Sequence, residues 1–390
     1  DRILAGSLTT SDAKGDFKRA VAKNIVLPIG DIPVLLVVKK NTSILRNLIR
    51  WVTEIHGVPV SQDSAEKIVR GVPLLVIDDE ADSASIDVGS KTDMPSETNK
   101  QLRRLLNTFE KSAYVGYTAT PYANIFASTA NHDEWGDDIY PRSFIESLKP
   151  PSNYFGPVRV FGLAATADDD VDQPPLPVFR DADDYQTWIP DKHKKTWVPG
   201  ELPGSVKEAV LAFALSSAAR RARGQGSKHS SMLIHVTRFQ DVQKRVYDQL
   251  QEHLQSIRLR LKFGDGESHS IYEELRELWE GDFEQTTLRW PGETITMSWD
   301  VIEPHVLPAV EKIEMLLLNG SSEDALEYHR HREHGLSVIA VGGNKLSRGL
   351  TLEGLSVSYY LRATRMYDTL MQMGRWFGYR PGYEDLCRLY

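Results

Sequence analysis

The stretch LLVIDDEAD, Leu74 to Asp82, restricts the fold more than any other part of the chain. A short apolar run fronted by Pro73 passes directly into acids. Such a run reads as a buried parallel strand that delivers carboxylates to its C-terminal edge. That edge is where open α/β sheets bind their ligands. Asp79 is suited there to hold Mg²⁺ on a nucleotide, directly or through water, and Glu80 to orient or deprotonate an attacking water. A lone acidic pair describes a strand ending in a solvated turn equally well. The order of motifs along the chain has to decide between the two.

A chain of 390 residues suggests two or three domains. Its formal net charge of −8 gives no global basic field, so nucleic acid would need a local basic groove. One cysteine, Cys387, excludes an internal disulfide framework and a cysteine-rich zinc site, and fits a reducing compartment. No apolar run has the length of a membrane span and the first residues are not a signal peptide, so a cytoplasmic location without membrane contact is expected. The opening without methionine and the closing LCRLY, which reads as the start of a strand, suggest a fragment.

In chain order, IPVLLVVKK (Ile32 to Lys40) reads as a strand, followed by a helix capped by Thr42 or Ser43. Lys39, Lys40 and the helix N-terminus are placed to touch nucleic-acid phosphates, or to form a solvated strand end. A polar loop after LLVIDDEAD leads to the basic helix NKQLRRLLNTFEK and to the strand SAYVGYTATPYAN, which carries Thr118 and Thr120 at its end. These hydroxyls can bond the acidic motif. Residues 131–204, rich in Pro, Asp and Trp, read as an insertion or linker, and PSNYFGPVRVFG as a short strand docking on the first domain. From Ser205 an amphipathic helix, the strand SSMLIHVTRFQ and a long helix begin a second α/β domain over residues 205–390. Residues 265–335 read as helical pieces with one strand, TITMSW, before VIAVGGNKLSRGLTLEGL and YDTLMQMGRWFGYRPGYEDLCRLY.

This order resembles the superfamily 2 helicase and translocase motors. The resemblance rests on the DEAD at Asp79 to Asp82, the TAT at Thr118 to Thr120, MLIHVTRF, VIAVGGNKLSRGLTLEGL and QMGRWFGYR. More narrowly, VVKKNTSILRNLI, VIDDEADSASI, YTATPYANIFA, SSMLIHVTRF and QMGRWFGYR are similar to the Z1 domain of bacterial endonuclease-type proteins in restriction or phage-defence systems. The resemblance implies two RecA-like parallel-sheet domains in tandem, with residues 1–130 as a partial first domain. It implies an ATP- and Mg²⁺-dependent motor on DNA, with companion nuclease, methyltransferase or ATPase domains or subunits. Asp79 would be the magnesium carboxylate and Glu80 the base. Asp82, Thr118 and Thr120 would couple the nucleotide site to the domain interface. Arg375 and Arg380 would be arginine fingers, supported by Gln372, since a rigid and permanently charged fork matches the charge on a transferring phosphoryl group. Gly343, Arg348 and Gly349 would shape the loop that reads closure. DNA would be met by Lys39, Lys40, Asn41 and Thr42, and by His235, Thr237, Arg238 and Lys345.

The sequence departs from this pattern in three places. The Walker A loop is missing: Gly224-Gln225-Gly226-Ser227-Lys228 follows no strand and reads as a flexible loop, so the loop is expected upstream of Asp1 and this fragment alone is expected to be inactive. Thr351 stands where many relatives carry aspartate, and the last motif has one residue more than usual between its arginines.

Other signals lead elsewhere. His329, His331 and His334, with Glu333, read as a solvated charged helix end rather than a metal site. Arg220, Arg221, Arg223, Lys228, His229 and Arg238 form the densest basic neighbourhood, either a nucleic-acid track or a solvated face. Trp376 and Phe377 read as packing. No nuclease constellation is present in the sequence. The rival readings are a non-catalytic nucleotide-gated DNA clamp and a nuclease with an unrecognised active site.

Overall fold

A computed structural model describes residues 6–10, 15–23, 33–62, 64–82, 85, 96–119, 132–133, 136–149, 151–164, 173–265, 270–318, 328–343, 351–361, 377–379 and 381–390. The chain divides into two units, Asp1–Leu148 and Lys149–Tyr390. Both are α/β with parallel strand pairs.

In the first unit, β1 (Gly6–Ser7) pairs in parallel with β2 (Val34–Leu35). Helix α1 (Thr42–Ile55) follows, and its cap is Asn41, whose side chain accepts the Ser43 amide, not Thr42 or Ser43. Leu45, Leu48, Ile49, Trp51 and Val52 recur at helical spacing and are buried, so α1 has one apolar face. Strand β3 (Leu74–Asp79), helix α2 (Glu97–Asn107) and strand β4 (Ser112–Tyr117) complete the core. Strands β3 and β4 run parallel from Leu74 opposite Ser112 to Asp79 opposite Tyr117. The expected strand buried on both faces is not what forms. Leu74 and Val76 pack on the core, whereas Leu75 and Ile77 are 59% and 65% exposed.

The second unit is built on a five-stranded parallel sheet. Helix α3 (Gly204–Arg220) precedes β5 (Ser230–His235), and α4 (Gln240–Phe263) follows it. Helix α5 (Trp299–Glu311) then leads into β6 (Ile313–Leu318), β7 (Ser337–Gly342), β8 (Leu355–Tyr360) and β9 (Arg388–Leu389). The spatial order is β6-β7-β5-β8-β9. Helix α3 is buried almost all round rather than amphipathic, and its alanines and serines let α5 and β8 approach closely. The strand expected at TITMSW is absent; Trp299 begins α5, and IEMLLL is the strand. Helix α5 keeps Pro304 and Pro308 inside it because Ile302, Val306, Ala309 and Val310 are buried in the core.

Residues 149–204, read as part of a linker, belong to this unit. Phe155, Val160, Val178, Trp188 and Ile189 join its core. Tyr154–Phe155 pairs antiparallel with Gly378–Tyr379, not with the first unit, and Phe155 packs on the buried Phe377. Among the described residues no helix is long and apolar enough to cross a membrane.

A buried charge cluster closes the sheet at its last strand. Asp282 accepts from Arg388 at 3.0 and 3.1 Å and also from Arg180. The fully buried Arg388 guanidinium lies 4.0 Å from the centre of the Phe283 ring. Burial pushes the Asp282 carboxyl up, but Arg388 and Arg180 outweigh it and hold it below the ordinary range. Its stabilising contribution is therefore complete above the unfolded carboxylate value and is lost as pH falls through the lower folded value. Asp282→Ala, which strands the Arg388 charge, is expected to lower the unfolding free energy by about 3–5 kcal/mol. It should also remove part of the acid sensitivity below about pH 4. Urea denaturation across pH measures both, and a loss under about 1 kcal/mol would mean that backbone acceptors alone satisfy Arg388.

Candidate functional site

Strand β3 ends where the chain leaves the extended conformation. Asp78 is buried, Asp79 is exposed, and Glu80 takes a left-handed backbone with φ 55°. Non-glycine residues rarely occupy that region. The turn then returns to the sheet, because the Ala81 amide donates to the Tyr117 carbonyl at 2.9 Å. Ala81 is fully buried against Gly116, where an added Cβ would lie 2.9 Å from the Ala81 Cβ. Gly116 is therefore what lets the acidic turn sit against β4.

The Thr118 hydroxyl donates to Asp82 Oδ1 at 2.9 Å, which joins two of the motifs read from the sequence. Asp79 Oδ1 accepts from the Glu80 amide at 3.0 Å, and its side chain otherwise faces solvent.

The buried carboxylate is Asp78, a residue the sequence reading passed over. Its Oδ1 accepts from Lys40 Nζ at 2.9 Å and its Oδ2 from the Tyr114 hydroxyl at 2.5 Å. Burial, followed by the Asp78 charge, raises the Tyr114 phenol well above its ordinary value, so it stays a donor. Lys40 Nζ also donates to the Asp79 and Glu80 carbonyls and to Ser85 Oγ. Behind Ser85, Asn99 Nδ2 donates to the Ser85 carbonyl and to Asp138 Oδ1.

Several residues expected to touch DNA are placed otherwise. Lys40 turns into the acidic turn rather than toward a phosphate. Asn41 caps α1, while Lys39 is exposed beside it and Thr42 is half-buried. His235 is fully buried, with its ring against Tyr360. Thr237 is buried and bonds His193 Nε2 at 2.7 Å and the Phe239 amide at 3.2 Å. Arg238, over the Phe239 ring, is exposed at that strand end. Of the basic neighbourhood, Arg220 lies buried over the Tyr383 ring and Arg223 grips Asp385 with two bonds of 2.7 Å, so both are structural. Lys228 is exposed, and His229 Nδ1 accepts the Leu336 amide. Helix α3, not a strand, leads to Gly224. Thr120, Lys345, Arg348, Gly349, Gln372, Arg375, Trp376 and Arg380 lie outside the described residues.

At the C-terminal edge of the second sheet, a pocket of about 210 Å³ is lined by residues 189–193, by 236–239 and by Leu361. Its Lys192 and His193 come from the segment read as a linker. Gly343 packs tightly beside it, where a Cβ would lie 2.3 Å from Gln243 Nε2, itself bonded to the Thr237 carbonyl. Gly343 thus lets the end of β7 approach the end of β5.

Among the described residues no group of three or more His, Cys, Asp or Glu side chains is arranged to hold a metal. The residues nevertheless fit a nucleotide-bound Mg²⁺. That ion keeps several waters and binds through one or two carboxylates plus phosphates, and the exposed Asp79 offers one such carboxylate.

Residues 205–390, within the second unit, match the model of the Z1 domain family. No curated protein matches the chain.

Gly116→Val is expected to push the acidic turn off β4, destabilising the first unit by about 1–3 kcal/mol. Unchanged denaturant midpoints would show that Ala81 can withdraw without loss.

Proposed function

We propose that this chain is the motor core of an ATP-dependent DNA translocase of the superfamily 2 helicase type, built from two RecA-like units. The observation that carries this reading is the Thr118–Asp82 bond beside Asp79 and Glu80. Motifs 36 residues apart meet at the C-terminal edge of a parallel strand pair, where open α/β sheets bind nucleotides. The Z1 match over the second unit adds support, since the family resemblance implies the same kind of motor.

In this reading Mg²⁺ supplies charge neutralisation on the phosphates. Asp79 would hold it, directly or through water, while Glu80 orients the attacking water and takes its proton. Thr118 fixes Asp82 and so links the acidic turn to the end of β4. Arg375 and Arg380 are the proposed arginine fingers. Exposed cations beside the sheet ends, Lys39 and Arg238, remain candidates for DNA phosphates. Coupling to a companion nuclease belongs to the same proposal.

DNA-stimulated ATP hydrolysis by the natural protein that carries this chain tests the reading. Wild type should hydrolyse ATP, and Glu80→Gln, Asp79→Asn and Arg375→Ala should each lose on the order of a hundredfold or more in kcat. If DNA binding persists with no hydrolysis, the chain is a nucleotide-gated clamp. Metal-dependent DNA cleavage without ATP would point to a nuclease instead.

A further inference from the structure

The geometry points to Lys40 as the positioning residue for Glu80, acting through the backbone rather than through any contact with nucleotide or DNA. This rests on the hydrolytic reading of the acidic turn.

Successive carbonyls of an extended strand point to opposite sides, as its alternating pattern requires. Here two consecutive carbonyls, those of Asp79 and Glu80, converge on one ammonium at 3.0 and 2.8 Å. That is possible only because the chain breaks from the strand at Glu80, whose φ of 55° is unfavourable for a residue with a Cβ. A cation facing both carbonyl dipoles offsets their mutual repulsion and favours the break.

The remaining contacts hold the cation in place. Asp78 Oδ1 and Ser85 Oγ each lie 2.9 Å from Lys40 Nζ, and Asp78 is fixed in turn by the Tyr114 hydroxyl. Four oxygens surround a group with three hydrogens, so no donor is left for a phosphate. The side chain of Lys40 is only 21% exposed. Lys40 stands at the end of the segment leading into α1, so the helix position and the acidic turn are set against each other by one ammonium. The direction in which the Glu80 carboxylate leaves the sheet follows from the backbone that Lys40 holds. Misplacing a base by about 1 Å costs on the order of a hundredfold in rate.

The test uses the full natural protein with Lys40→Met/Asp78→Asn, which removes both charges of the pair together, and Lys40→Arg, which keeps the charge but not the compact ammonium. Either variant serves if the other fails to fold. We expect kcat for ATP to fall at least about tenfold, and up to the order of a hundredfold, with KM within about twofold of wild type. In a Glu80→Gln background the same substitutions should reduce the residual rate less than about twofold, because both changes act on one group. Amide hydrogen exchange over residues 79–82 should quicken at least about tenfold, with the rest of the first unit unchanged. Three results would overturn the proposal: a folded variant with wild-type kcat, a loss that multiplies with Glu80→Gln, or unchanged exchange at the turn. If wild type does not hydrolyse ATP, the hydrolytic reading fails and catalytic positioning fails with it, while the exchange measurement still decides whether Lys40 holds the turn.

Discussion

The acidic turn of the first unit depends on a single, half-buried ammonium. Lys40 links the chain entering α1 to the end of β3 and to Ser85, through one charged and three neutral acceptors. A buried charge is tolerable only when paired and hydrogen-bonded, and the buried Asp78 meets both conditions through Lys40 and Tyr114. The pair with Asp78 is therefore better understood as specifying one backbone path than as adding net stability. Without it the left-handed Glu80 has no counterweight, Ala81 has less reason to sit on Gly116, and the carboxylates lose a defined direction.

The two sheet edges use the same principle with opposite outcomes. At the end of β3 the exposed groups are acidic and the half-buried lysine organises them. At the end of β5 the polar residues His235 and Thr237 are buried, with Thr237 tied to His193, and exposed basic groups remain at the rim. A parallel sheet collects side chains at one end whatever their role. Which of them meet solvent is decided by the segments that pack over that end, here residues 189–193.

Part of this was legible in the sequence. The apolar run before the acids gave β3, the Thr118 motif reached Asp82, and the strand at 230–235 lies within SSMLIHVTRFQ, which reads as one. The failures share a cause: the deciding contacts are distant in sequence. Lys40 reads as a surface cation until Asp78 is found 38 residues away. Trp188 reads as linker until the core of the second unit closes around it. TITMSW has a strand-like composition and IEMLLL does not stand out, yet the prolines of α5 sit in a packed helix and the strand follows it. Asp282 and Arg388, 106 residues apart, carry no local signal at all.

The strand order of the second unit also sets a sequence of events in time. Strand β5 is central, but its neighbours β7 and β8 come more than a hundred residues later, with Ser230 opposite Ser337. Loop closure over such separations makes parallel pairing slow. As the chain leaves the ribosome, β5 must wait with both edges open until those residues emerge, and β9, whose Arg388 finds Asp282, arrives last. During synthesis this unit passes through an interval in which its central strand has no partner, so it calls for a chaperone or for fast docking of α3 and α4 to cover it.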